Sequence, residues 1–288
     1  MKIIRRIFDS KGGPVLTVVF IALFIAESRR QLRKRKTSRV QRMVTNTMVA
    51  VPSFSLLRFV FLPAMVKIAL KNRQWKSGVN YLYDAPSFLK TMVAFLIMDY
   101  TNYLWHVLNH KSTFLWKFHL VHHTDPDLDL STATRFHFGE LIGSVFFRGL
   151  FVLLSGATAM QVLLYEIIFE GATQFHHTNW KLPYQLEKNL NKIIVTPRMH
   201  GIHHSVIRDE TDSNYSVIFS IWDRLHNTAK LNIAQSDVVT GVPGYENPEE
   251  LTAAYLLKLP FTNIRKWDSL KETRDSGNYL PDKNNLGE

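Results

Sequence analysis

The chain has 288 residues, 46% of them hydrophobic and 12% aromatic, which supplies a substantial core and excludes a chain disordered throughout. It has no cysteine, which excludes disulfides, thiolate-ligated zinc, iron–sulfur clusters, thiolate haem and a cysteine nucleophile. Lys and Arg number 35 against 24 Asp and Glu, a net +11, so the position of the surplus decides what it means.

Lys2, Arg5 and Arg6 precede the apolar run Val15–Ala26. No small-residue cleavage site follows, so the run is read as a retained anchor rather than a signal peptide. Arg29, Arg30, Arg33, Lys34, Arg35, Lys36, Arg39 and Arg42 come next, directly before a second apolar stretch, Val44–Leu70. A basic block between two apolar runs is the pattern of a cytoplasmic loop held at an anionic lipid surface. No nucleic-acid motif accompanies it, so nucleic acid is not expected as a partner. Val44–Leu70, broken by Pro52, Arg58 and Pro63, is long enough to cross a bilayer once with tilt or a kink. Phe88–Leu108 is the next candidate span. Leu141–Phe169 is too long for one span and carries Ser155-Gly156 at its middle, which predicts a helical hairpin. No run after His176 qualifies as a span. Residues 176–266 read as a soluble region, and the polar tail after about Leu270 reads as disordered.

This predicts an all-α protein: a membrane bundle of about four spanning or hairpin helices capped by a helical, histidine-rich domain. The expected divisions are 1–87 (anchor helices and basic loop), 88–228 (catalytic domain including the hairpin) and 229–288 (C-terminal extension). With the basic loop inside, the histidines face the cytoplasm, in a bacterial inner membrane or the endoplasmic reticulum. Lys67, Lys71, Arg73 and Lys76 then fall outside, four cations against the eight of the loop.

Of the 12 histidines, 11 lie between His106 and His204. They form three clusters: His106-x-x-x-His110, His119-x-x-His122-His123 and His200-x-x-His203-His204. On a helix, residues four apart differ by about 40° around the axis and residues three apart by about 60°, so each cluster puts its imidazoles on one side. Eight such ligands exceed the four of one tetrahedral ion, and two metals are the economical reading. Imidazole suits zinc, copper, iron and nickel alike. A two-zinc hydrolase or lyase would ordinarily use a bridging carboxylate, and none lies inside the clusters. An all-nitrogen pair of irons fits oxidation of lipid C–H bonds better. The zinc enzyme and a catalytically idle metal-binding protein stay as alternatives. His226 reads as a structural residue.

Other polar residues surround the clusters. Asp99 shares a helical stripe with Tyr103, His106 and His110, which predicts that its carboxylate holds the outer N–H of a ligand imidazole. Asp125, Asp127 and Asp129 read as a turn or cap rather than ligands. Arg135 and Glu140 could pair with each other or hold a histidine. Asn179, Asn214 and Asp223 are read as network members.

The three clusters and the residues around them resemble the membrane-bound fatty acid hydroxylase/sterol desaturase superfamily. The similarity extends to Asp99-Tyr100 through Trp105-His106, Leu115-Trp116-Lys117-Phe118-His119, Arg135-Phe136-His137 with Glu140, His177-Thr178-Asn179, Thr196-Pro197-Arg198-Met199-His200, Asn214-Tyr215 and Trp222-Asp223-Arg224-Leu225. It covers about residues 85–228. Ser216 and His226-Asn227 depart from the family pattern, where Gly and Phe-Gly usually stand. The resemblance implies a non-haem di-iron, dioxygen-dependent enzyme that hydroxylates or desaturates a lipid. Its family ligands carry over to the eight cluster histidines, with His177 as a further ligand. It leaves His137, and His176 beside His177, as ligands or as groups that hold a ligand. The chain has no cysteine, Gly-rich dinucleotide loop or haem site, so electrons are expected from a reductase, a small electron carrier or a reduced pterin.

Overall fold

The computed structural model describes residues 12–265 and 267. The N-terminal cations Lys2, Arg5 and Arg6 and the tail after Leu270 lie outside the described residues. The protein is helical, and among the described residues it has isolated β-bridges but no strands.

Helix α1 (Gly13–Arg29) starts on Pro14, whose fixed φ suits the first helical turn. A strap, residues 30–38, leads to α2 (Arg39–Leu56), capped by the Ser38 hydroxyl. Pro52 lies inside α2, and a single π turn at Leu57–Phe61 follows it before α3 (Leu62–Trp75) continues the rod. Helix α4 (Ser87–Lys111) carries the first histidine pair, and α5 (Thr113–His123) folds back from it with Ser112 as cap. The predicted hairpin is α6 (Phe138–Ser155) and α7 (Ala159–His177). Its tip turns at Gly156 with φ +71°, and a Cβ on the adjoining Gly78 would overlap the Gly156 backbone. Short helices follow: α8 (Tyr184–Leu190), α9 (Pro197–His203), α10 (Arg208–Thr211), α11 (Ile221–Leu225) and α12 (Ala253–Lys258).

One apolar core joins α3, α4, α6 and α7 through Phe61, Met65, Met98, Val152, Val162 and Tyr165. A second, built on Val49, Leu120, Val121, Leu251 and Leu256, closes the C-terminal segment over α2 and α5. Outward faces are apolar too. Ile142, Phe146, Leu150 and Leu154 on α6, and Met160, Leu164 and Ile168 on α7, are exposed at every fourth residue. Such stripes are costly in water and suit a lipid environment. Among the described residues, the Arg39–Tyr81 segment and α6 are long and apolar enough to cross a membrane. The predicted span over Phe88–Leu108 is not among them. The 25-residue α4 buries Asp99, Asn102, His106, Asn109 and His110 and serves as the central helix of the protein.

The basic block is not a free loop. Arg42 donates to Asp125 (2.7 and 2.9 Å) and to Asp129 (2.8 Å). Arg35 and Arg39 pair with the buried Glu27, and Arg33 donates to Gln235 at 2.6 Å. Only Arg29, Arg30, Lys34 and Lys36 of the eight cations remain exposed. Arg35 and Arg42 thus meet the acids that follow the second cluster, Arg33 and Arg39 are bonded elsewhere in the protein, and half of the block is left to face outward.

Candidate metal centre

Four elements converge on one buried spot: the C-terminal ends of α4, α5 and α7, and α9 with the residue after it. Five histidines, His106, His110, His119, His123 and His203, form one group, and four, His122, His177, His200 and His204, form another. Within each group one ring nitrogen per residue lies within 4.8 Å of all the others.

The spacing of the clusters explains the division. Residues three and four apart on a helix diverge from each other by about 100° around the axis. Helix α5 therefore sends His119 and His123 to the first group and His122 to the second. The α9 cluster does the reverse, with His200 and His204 in the second group and His203 in the first. The two H-x-x-H-H motifs face each other and exchange their middle member.

The facing nitrogens are Nε2 atoms. In the first group the Nε2 of His119 lies 3.1 Å from that of His106 and 3.2 Å from that of His123. In the second, His177 Nε2 lies 3.0 Å from those of both His122 and His200, and His204 Nε2 lies 3.1 Å from that of His200. Nitrogens bound at about 2.1 Å to one ion stand about 3.0 Å apart at a right angle and about 3.4 Å apart at the tetrahedral angle. The outer nitrogens set the tautomers. A carbonyl can only accept, so Nδ1 of His106, His177 and His203 donates to the Tyr215, Thr173 and Ser213 carbonyls, each at 2.7 Å. This leaves Nε2 with its lone pair pointing inward. His203 Nε2 is buried with no hydrogen-bond partner among the described residues. Burial and the neighbouring imidazoles push His122, His123, His200 and His204 well below the ordinary range, and burial takes His203 down to about 3. All are then neutral near pH 7, the form that binds a metal. The donor set fits two ions, one in each group.

The surrounding residues divide differently from the sequence expectation. Glu140 accepts from His119 Nδ1 at 3.1 Å and from Asn109, so it holds an imidazole of the first group rather than pairing with Arg135. Arg135 instead donates to Asn46, Thr124 and the Val121 carbonyl. Asp99 does not hold an imidazole. Its carboxylate takes Trp222 Nε1 at 2.7 Å and the Phe219 amide at 3.1 Å. Seven residues of helix put it about 10 Å along the axis from His106, out of reach. His137 caps α6 by accepting the Gly139 amide, and its Nε2 meets the Leu257 carbonyl at 3.1 Å, outside both groups. His176 is also outside. Its Nδ1 donates to the Val217 carbonyl, and its ring lies 4.2 Å from that of His200. Asn179 clamps the strap, exchanging two 2.8 Å hydrogen bonds with the Arg33 backbone. Asp223 takes the amides of Tyr215 and Ser216 at 2.8 Å and so fixes the loop whose carbonyl orients His106. Asn214 donates to the Met199 carbonyl, and His226 contacts the Tyr100 hydroxyl at 3.0 Å.

The sequence did not point to the carbonyl acceptors, nor to Phe136, which stacks on His122 at 4.5 Å, nor to Trp116, which lies 5.0 Å from His110 and 5.4 Å from His123. Aromatic residues beside each motif were the only available clue.

Three adjoining cavities lie in series between the apolar surface and the histidines. A cavity of about 620 Å³ lies between α1, the π turn and α7. It shares Phe54, Leu57, Ala133, Thr134 and Glu170 with a second of about 80 Å³. The second shares Asn102, Trp105, Phe136, Phe169 and Thr173 with a third of about 60 Å³, whose wall includes His106, His119, His122, His177 and His200.

Comparison with known proteins agrees with this site. The fatty acid hydroxylase family model matches residues 91–228, which hold every histidine of both groups. The alkylglycerol monooxygenase of Danio rerio is 30% identical over 205 residues, 67% of this chain and 43% of its own length. A cholesterol 25-hydroxylase-like protein of Danio rerio is 27% identical over 158 residues (52% and 61%). The ornithine lipid hydroxylase OlsE of Rhizobium tropici is 27% identical over 159 residues (55% and 47%). The chain belongs to the fatty acid hydroxylase/sterol desaturase superfamily. It spans between about two fifths and three fifths of the length of these three relatives. No solved structure matches it.

Proposed function

We propose that the protein is a membrane-bound lipid hydroxylase that holds two iron ions, one in each histidine group. The observation that carries this reading is the pair of buried all-imidazole groups at the inner end of a series of adjoining cavities that starts at the apolar surface. When bound, a pair of irons supplies activation of dioxygen for oxidation of an unactivated C–H bond. The overall change consumes the lipid, one O₂, two electrons and two protons and yields the alcohol and water; loss of a second hydrogen in place of oxygen insertion gives the alkene. The electrons come from an external donor, a reductase, a small electron carrier or a reduced pterin.

The chain's own share is holding and exclusion. The carbonyls of Tyr215, Ser213 and Thr173 and the Glu140 carboxylate orient four of the imidazoles. Phe136, Phe169 and Trp105 narrow the inner path and keep water from the reacting carbon. Neither group contains a carboxylate, which favours oxidation over a two-zinc hydrolase. The exposed cations of the basic block, Arg29, Arg30, Lys34 and Lys36, favour a cytoplasmic site in an integral membrane protein of the bacterial inner membrane or the endoplasmic reticulum.

Two measurements test the proposal. Protein purified without oxygen is expected to carry two irons per chain. Lipid profiles of cells with and without the gene are expected to differ by a species one oxygen heavier or two hydrogens lighter. Zinc-loaded protein that cleaves a lipid ester, with no oxidised lipid in the profile, would overturn it.

A further inference from the structure

Helix α7 carries more than a ligand. Glu166, Glu170, Thr173, Gln174 and His177 recur at i, i+4, i+7, i+8 and i+11, one helical stripe. That stripe follows the path inward. Glu166, Glu170 and Gln174 line the outer cavity, Glu170 and Thr173 the middle one, and Thr173 and His177 the innermost.

The polar atoms of the stripe are unequally used. Glu166 is paired with Arg148. Thr173 Oγ1 and Gln174 Oε1 are buried with no hydrogen-bond partner among the described residues. Thr173 is only 3% exposed. Glu170, on the same stripe, lines both the outer and the middle cavity, and Arg148, the cation whose charge bears on it, is bonded to Glu166. Leaving buried acceptors unmatched in an apolar passage is costly. A ligand that carries a donor removes the cost, whereas a plain hydrocarbon leaves it in place.

We propose that Glu170, Thr173 and Gln174 are specificity-determining residues that accept a hydrogen bond from a hydroxyl or amine on the lipid. Glu170 lies about 10 Å along the helix from His177, so a donor held there lies away from the histidines. The substrate class is then a lipid that carries a hydroxyl or amine donor, rather than a plain hydrocarbon. This rests on the lipid hydroxylase reading and adds to it a rule of recognition.

The test uses the full-length, iron-loaded protein and two labelled probes, hexadecan-1-ol and its methyl ether, which differ in the donor. The wild type is expected to bind the alcohol at least about tenfold more tightly. Glu170→Leu is expected to erase that preference while still binding the ether. A preference that survives in Glu170→Leu, or that is absent from the wild type, overturns the proposal. Should Glu170→Leu not fold, Gln174→Met carries the same test with an expected loss of about threefold, and no loss overturns it. Binding needs no turnover, so the two readings fail separately. Protein that prefers the alcohol yet oxidises no lipid keeps the stripe and loses the oxygenase. An active enzyme indifferent to the donor does the opposite.

Discussion

The two histidine groups are built from the same motifs but held in different ways. In the first, hydrogen bonds fix the outer nitrogens of three of the five, His106, His119 and His203, through Tyr215, Glu140 and Ser213, while Nδ1 of His110 and His123 has no hydrogen-bond partner among the described residues. In the second, only His177 is fixed so. The Nδ1 atoms of His122, His200 and His204 are buried with no partner among the described residues, and packing holds the rings instead. His122 stacks on Phe136 at 4.5 Å, His204 on His123 at 4.4 Å, and His200 lies against His176 at 4.2 Å. A hydrogen bond to the far nitrogen fixes direction and raises basicity, whereas stacking fixes only the plane. The second group is therefore the softer of the two.

Four experiments bear on this contrast. His203→Ala and His122→Ala each remove a ligand from one group, and each is expected to lower metal content from two to about one and to abolish turnover. Two metals retained in either variant would break the assignment. Arg42→Met leaves Asp125 buried without its cation. Burial raises the Asp125 carboxyl, but the Arg42 and Arg135 charges and the hydrogen bonds to it outweigh this and hold it well below the usual range. Removing one partner of such a pair is expected to cost about 3–5 kcal/mol, read as a lower melting temperature. Glu140→Gln weakens the grip on His119, so metal in the first group is expected to bind about 10- to 100-fold more weakly, with the second unchanged. The smallest effect is expected from Phe136→Leu. Losing the stack is worth about 0.5–1.5 kcal/mol and should weaken only the second group, seen as earlier release of one ion to a chelator. If Phe136→Leu instead loosens the first group, the contrast is wrong.

Much of the helical plan was legible because it rests on local rules. The hairpin followed from an apolar run too long for one span with Ser155-Gly156 inside it. The 3.6-residue period brought the histidines of each cluster to neighbouring directions, but the structure divides both H-x-x-H-H clusters between two groups, which the single-sided reading missed. What escaped was of two kinds. The stripe containing Asp99 gave direction around the helix but not distance along it, so the carboxylate was assigned to the wrong partner. Backbone carbonyls such as those of Tyr215 and Ser213 have no residue signature, so no reading of side chains finds them. The basic block lay between these cases. Its charges were plain, and so were Asp125, Asp127 and Asp129 at alternate positions, but only the fold reveals that the two sets meet.

One corner of the molecule constrains how the outer cavity opens. The Glu27 carboxylate, at the end of α1, takes the backbone amides of Leu130 (3.1 Å) and Asn179 (2.9 Å). Asn179 stands two positions past His177. Swinging α1 away from α7 as a door would therefore tug on the segment that carries His177 and so disturb the second histidine group. Admission by rotation of Phe20 and Phe54, whose rings border the outer cavity, leaves that bolt undisturbed.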